Sequence, residues 1–336
     1  SVLDRHRGRA PCNRSRRRGV LMAIKNRKTA NDMIPARPVE VCLYGPPNSG
    51  KTTIAATLGK SLYLDFEGSL SRSDLVSNVA DRVDVESWSD VSELDQSDLK
   101  GVNAVVVDTM SAMFRQIAAG LPRGGKVKMF QSDGSLTQKA YGAMLTAFTA
   151  WRDRIKSWGC DVILIAHAEE KATATEEMRI RPALTAGAMK AVTQDSDLIA
   201  FCEIRGKDRV MCCAPDVWFG KGPQEWGVLQ VPDLRGDPSW FADKLDELRE
   251  IIRSRQAKAI EAQKAMAPIR EEIDADWGDD ALAVIALAND LLERIEALNE
   301  SLRPPLRQQL WNKAKDMGLT YDRQEKTFLA REDANE

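Results

Sequence analysis

Residues Gly45 to Thr52 read GPPNSGKT and fit the pattern G-x-x-x-x-G-K-[ST]. The chemistry of such a stretch is phosphate binding. The small residues Gly45, Pro46, Pro47, Asn48, Ser49 and Gly50 let backbone N–H groups turn inward around a β-phosphate. Lys51 adds a point charge for the β- and γ-phosphates, and Thr52, followed by Thr53, offers a hydroxyl to Mg²⁺. A metal-side partner stands in VNAVVVDTMS, where an apolar run pushes Asp108 out at the carboxyl end of a buried strand. Hydrolysis of a bound triphosphate further needs a group that orients the attacking water, usually a carboxylate. The residue after Asp108 is Thr109, so the carboxylate must come from elsewhere. SLYLDFEGS, the strand after the phosphate loop's helix, ends in Asp65, Phe66 and Glu67, and an adjacent parallel strand would carry Glu67 to the γ-phosphate. Glu67 is the candidate base.

These groups need a scaffold that brings strand ends together. From Val39 onward, short apolar runs alternate with amphipathic segments, the pattern of a parallel sheet covered on both faces. The spacing predicts strands over 39–44, 61–65, 103–107, 161–166 and 197–204, with helices over 51–59, 71–79, 110–118 and 138–157. CEIRGKDRVMCCA reads as a hairpin turning at Gly206, Lys207 and Asp208. The fold class is therefore α/β: a mainly parallel central sheet with antiparallel strands at its end, plus a C-terminal helical region. Beyond Pro238, Phe241, Leu245, Leu248 and Ile252 share one helix face. Val284, Ala288, Leu291, Ile295, Leu298 and Leu302 mark a second helix, which Pro304 and Pro305 are expected to stop. Leu306, Leu310 and Ala314 mark a third that folds back on it. Such helices form either a small bundle or a surface for a partner.

The 336 residues suffice for one large core and an accessory region, and we read 1–36 as a basic disordered arm, 37–233 as the core and 234–336 as the helical region. The arm's arginines either bind nucleic acid or precede the true start at Met22. Lys+Arg 48 against Asp+Glu 50 leaves a net charge of -2, so nucleic-acid binding would rest on local patches. Six cysteines without a C-x-x-C pair, and two histidines, exclude a zinc site of ordinary spacing and read as reduced thiols. No apolar stretch is long enough to cross a membrane, which places the expected protein in the cytoplasm.

Taken together, LYGPPNSGKTT, LYLDFEGSL, VVVDTMS, VILIAHAEEK and RPALTAGAMKAVTQDSDLIAF resemble the RecA-type ATPase core. More closely, they resemble the phage-encoded RecA-like ATPases of the Sak-four type, over residues 39 to about 222. The resemblance implies ATP and Mg²⁺ as ligands, Glu67 polarising water, and His167 sensing the γ-phosphate from the end of DVILIAH. A strand-end histidine without that role is the alternative. It further implies a homo-oligomer, ring or filament, in a bacterial host cell, in which a neighbour contributes a cation to the ATP. Lys221 in VWFGKGPQEWG matches that region, although the expected second cation is absent, and Lys207 and Arg209 are alternatives. Single-stranded DNA is the implied partner, held by two loops: GLPRGGKVKMFQSDGS with Arg123, Lys126, Lys128 and Phe130, and AEEKATATEEMRIRPALTAGAMK with Lys190. Two other readings stay open. One is a small-molecule kinase using the arginines near 179–181 as a lid. The other is an ATP-clamped annealing module whose C-terminal helices recruit a single-strand-binding protein.

Overall fold

The computed structural model describes residues 37–330 apart from residue 80, 125–126 and 173–176. The basic arm and Lys126 lie outside the described residues. The chain divides into two compact units between Gln256 and Ala257.

The first unit is built on β1 (Glu40–Gly45), β2 (Ser61–Asp65), β3 (Asp81–Asp84), β4 (Ala104–Asp108), β5 (Asp161–Ala172), β6 (Met178–Pro182), β7 (Leu198–Arg205), β8 (Asp208–Cys212) and β9 (Val228–Val231). They form one sheet in the order β3-β2-β4-β5-β1-β7-β8-β9, with β6 added to the far end of β5. β1, β2, β3, β4, β5 and β7 run parallel, whereas β6, β8 and β9 are antiparallel to their neighbours. This is the expected mainly parallel sheet with antiparallel strands at one end.

The central strands are apolar on both sides because both faces are covered. One face packs under α2 (Ser89–Ser92), α3 (Met110–Ala119), α4 (Gln138–Ser157) and α5 (Ala186–Asp195), where Phe148, Trp151 and Met113 are buried. The other packs under α1 (Lys51–Ala56) and the start of α6 (Trp240–Asp274), which supply Ile54, Phe241, Leu245 and Leu248. Strand polarity brings the carboxyl ends of β1, β2, β4 and β5 to one edge, where Asp65 pairs in register with Asp108 and Gly45 with His167.

Three expectations need correction. Residues 71–79 do not form a helix but two single turns of 3₁₀ type, 70–72 and 76–78. Ser73 Oγ accepts from Leu75 N at 3.3 Å, and the Asp65 carboxylate takes the N–H groups of Ser69 and Leu70, so side chains capture the donors that an α-helix would use. Much of the stretch after His167 is not a loop: β5 continues to Ala172 and pairs with β6, where Arg181 and Glu169 form a 2.7 Å ion pair across the strands, and α5 follows. Pro304 and Pro305 start a helix rather than stopping one, because a proline in the first turn has no N–H to lose.

The second unit contains the rest of α6, then α7 (Ala281–Glu296), α8 (Arg303–Asp316) and the hairpin β10 (Leu319–Asp322) with β11 (Thr327–Ala330), which sequence periodicity did not reveal. Its core gathers Ile269, Leu291, Ile295, Leu306, Leu310 and Phe328. Asn289 of α7 clamps the hairpin, accepting from Phe328 N at 2.7 Å and donating to Phe328 O at 3.1 Å. Among the described residues no helix is long and apolar enough to cross a membrane.

Candidate nucleotide site

Where β1 gives way to α1, the chain turns back through Asn48 (φ 64°) and Gly50 (φ 91°). Both are left-handed conformations, natural to glycine and tolerated by asparagine. Gly45 is required for a different reason. A Cβ there would sit 2.0 Å from the carbonyl oxygen of Cys202 on the neighbouring strand. Close approach of β1 to β7 thus fixes the base of the loop.

Lys51 is 6% exposed, and its ammonium donates to Gly45 O at 3.0 Å, Pro46 O at 2.8 Å and Ser49 Oγ at 3.3 Å. These acceptors are all neutral. Burial lowers the Lys51 pKa, and the negative charge of Asp108 only partly opposes it. A buried cation with only neutral hydrogen-bond acceptors is a site that an anion would complete.

Asp108 is 1% exposed, and its Oδ2 accepts from Thr52 Oγ1 (2.7 Å), Tyr63 OH (2.7 Å) and Ser69 Oγ (2.6 Å). Tyr63 and Ser69 were not expected at the site, and they reach it because β2 lies directly beside β4. Thr52 and Asp108 are hard oxygen donors, suited to Mg²⁺ held mainly by waters and phosphate oxygens. No cluster of three or more histidine, cysteine, aspartate or glutamate side chains is poised for a metal among the described residues.

The two carboxylates at the end of β2 have separate tasks. Asp65 faces inward and accepts from Ser69 N (2.9 Å), Leu70 N (3.0 Å) and Glu67 N (3.3 Å), so it holds the turn that carries Glu67. Glu67 faces the cavity. Its Oε1 accepts from Thr109 Oγ1 at 3.2 Å and Arg115 at 3.0 Å, and its Oε2 lies 3.5 Å from His167 Nε2. Arg115, on the first turns of α3, is a partner that no sequence motif indicated.

A cavity of 460 Å³ unites Lys51, Thr52, Thr53, Asp108, Glu67 and His167. Pro47, Asn48, Gly50 and Thr109 also border it, as do Ser73, Arg72 and Arg209 from outside the motifs. The other expected residues lie elsewhere. Lys221 donates to the carbonyls of Thr193 (3.0 Å) and Gln194 (3.3 Å), capping the end of α5, while its backbone bridges Ile199 near the start of β7. Arg123 lies over the Phe130 ring at 5.3 Å, with Lys128 exposed nearby in sequence, and Lys190 is exposed on α5. Arg179 and Arg181, the arginines of the kinase lid reading, are ion-paired to Glu177 (3.6 Å) and Glu169 on the β5–β6 hairpin.

The five cysteines among the described residues are buried free thiols. Burial pushes Cys202 up to about 12 and Cys212 to about 11, so neither is a ready nucleophile.

No curated protein matches the chain. Among protein families, the one described as an AAA domain matches residues 37–228, more than half the chain and the whole of the phosphate-binding sheet edge. The protein therefore belongs to the AAA domain family of P-loop nucleoside triphosphatases, ATP-binding and ATP-hydrolysing enzymes that use Mg²⁺.

Proposed function

We propose that Glu67 is the base of this ATPase and that hydrolysis is coupled to single-stranded DNA. The observation that carries the catalytic part is the position of Glu67. It is the carboxylate that faces the cavity with Lys51 and the Thr52–Asp108 pair, while Asp65 is consumed in shaping the turn. In this reading Lys51 leaves its neutral carbonyl partners for the β- and γ-phosphates. Thr52 and Asp108 would hold Mg²⁺, which would supply positive charge against the negative charge that develops on the phosphates. Glu67 accepts the proton of the attacking water, and Thr109 and Arg115 orient its carboxylate. His167, 3.5 Å from Glu67, reports loss of the γ-phosphate along β5 into the β5–β6 hairpin.

Single-stranded DNA binding is supported by the Sak-four resemblance and by the Arg123–Phe130 pair, a cation over an aromatic face in a basic, glycine-containing connection. We place the protein in phage recombination, annealing or replication in a bacterial host, acting as a homo-oligomer, with Lys221 the candidate trans-acting cation once released from α5.

The test is ATP hydrolysis with and without single-stranded DNA in wild type, Lys51→Ala and Glu67→Gln. DNA is expected to stimulate the wild type. Glu67→Gln should lose at least about 100-fold in turnover while still binding nucleotide, and Lys51→Ala should lose binding as well. Full turnover by Glu67→Gln would refute the assignment of the base, and hydrolysis indifferent to DNA would refute the coupling.

A further inference from the structure

The β7–β8 hairpin rises beside the phosphate loop. β7 runs parallel to β1 up to Tyr44↔Phe201 and then continues through Cys202 to Arg205, past the point where β1 ends. β8 returns antiparallel, with Arg209 opposite Ile204 and, on its other side, opposite Val231. Side chains alternate along a strand, so Arg209 shares a sheet face with Met211 and Cys213. Both of those pack in the core that contains Ile54 and Ala55 of α1, which is the face from which the phosphate loop springs.

Arg209 accordingly lies on the loop itself. A Cβ at Gly50 would come within 3.0 Å of its Cδ and 3.1 Å of its Nε, and Arg209 borders the cavity with Lys51, Thr52 and Asp108. Its neighbours differ in kind. Arg205 is paired with Glu203 at 2.7 Å and covers the Trp218 ring at 5.2 Å, whereas among the described residues no carboxylate pairs with Arg209. A guanidinium laid across a glycine of the phosphate loop is placed to meet an anion, with flat, directed donors that suit phosphate oxygens.

We propose that Arg209 is a nucleotide-binding residue acting in cis, reaching from the hairpin over Gly50 to the polyphosphate of the nucleotide in its own chain. This rests on the nucleotide reading of the cavity and extends it in two ways. It supplies a second cation from an element outside the motifs. It also makes the β7–β8 hairpin the part of the sheet that tightens when the nucleotide enters, because β8 holds Arg209 at one end and β9 along its side.

Binding of a fluorescent ATP analogue, with Mg²⁺, to the full chain tests this. Arg209→Ala should weaken binding about 10- to 100-fold, as loss of a charged hydrogen-bond donor does, and Arg209→Lys should recover part of it. Arg205→Ala should stay within about twofold of wild type. Hydrogen exchange supplies a structural readout: nucleotide should protect residues 203–211 in wild type and not in Arg209→Ala. Mixing Lys51→Ala with Arg209→Ala separates cis from trans. No recovery of hydrolysis is expected, whereas recovery would overturn the cis assignment. If wild type binds no nucleotide, the reading of the cavity fails. If wild type binds, Lys51→Ala does not and Arg209→Ala equals wild type, only the role of Arg209 falls.

Discussion

Single atoms decide what the site can do. Asp108 Oδ2 receives three hydroxyl donors, from Thr52, Tyr63 and Ser69, which fix the carboxylate without neutralising it. In the proposed reading this anion would accept from the waters of Mg²⁺, and outer partners of this kind are worth about 10- to 100-fold in metal affinity. Asp108→Asn should therefore raise the Mg²⁺ concentration for half-maximal hydrolysis by at least about tenfold, measured by Mg²⁺ titration at saturating ATP. An unchanged Mg²⁺ requirement would remove Asp108 from the metal side. Part of this was legible in the sequence. Lys51 and Thr52 announce themselves by spacing, Asp108 by its place at a strand end, and Glu67 because Thr109 occupies the position where another carboxylate could have stood. Tyr63, Ser69 and Arg115 were not legible as site residues, because each arrives through strand pairing or helix placement rather than through a local motif, and Arg209 was legible only as an alternative cation for a neighbour's ATP.

Elements turn these residue types into a constellation, and the turn after β2 shows how. Asp65 gives its carboxylate to backbone N–H groups of residues 67, 69 and 70, so a buried anion spends its charge on geometry. The same capture of donors explains why 71–79, apolar enough to suggest a helix, breaks into two short turns. Charged edge segments such as β3, reading DRVD, and the β5–β6 hairpin carry too little apolar alternation to declare themselves as strands. Asp65→Ala should lower unfolding free energy by about 1–3 kcal/mol in denaturant titration, the cost of leaving buried donors unpaired. It should also reduce turnover more than nucleotide affinity, since the turn carries Glu67 while the phosphate loop stands on β1. Equal losses in both would mean that Asp65 supports the whole sheet edge rather than this turn.

At the scale of the whole molecule, one helix, α6, contributes residues to two separate cores. The first turns of α6 bury Phe241, Leu245 and Leu248 in the ATPase unit, and its last turns bury Ile269 and Ile273 in the C-terminal unit. Between Leu248 and Ile269 no residue is buried, and the intervening RSRQAKAIEAQKA is polar, with only exposed ion pairs from Arg253 to Glu250 (3.7 Å) and from Arg255 to Glu225 (3.3 Å) among the described residues. Each unit should then melt by itself. Calorimetry should resolve two transitions, of which Mg²⁺-ATP raises only one, by about 2.7 kcal/mol at a hundredfold excess over Kd. Leu310→Ala, which opens a cavity in the C-terminal core, should lower the other by about 2–5 kcal/mol and leave the nucleotide-dependent one in place. Between the two units, trypsin should cut at Arg253, Arg255, Lys258 or Lys264 and release an ATPase fragment that still binds nucleotide. A single transition that shifts as one under both ATP and Leu310→Ala would show instead that α6 transmits stability along its length. In that case the helix, rather than the sheet edge, would be the first place to seek a link between hydrolysis and the C-terminal unit.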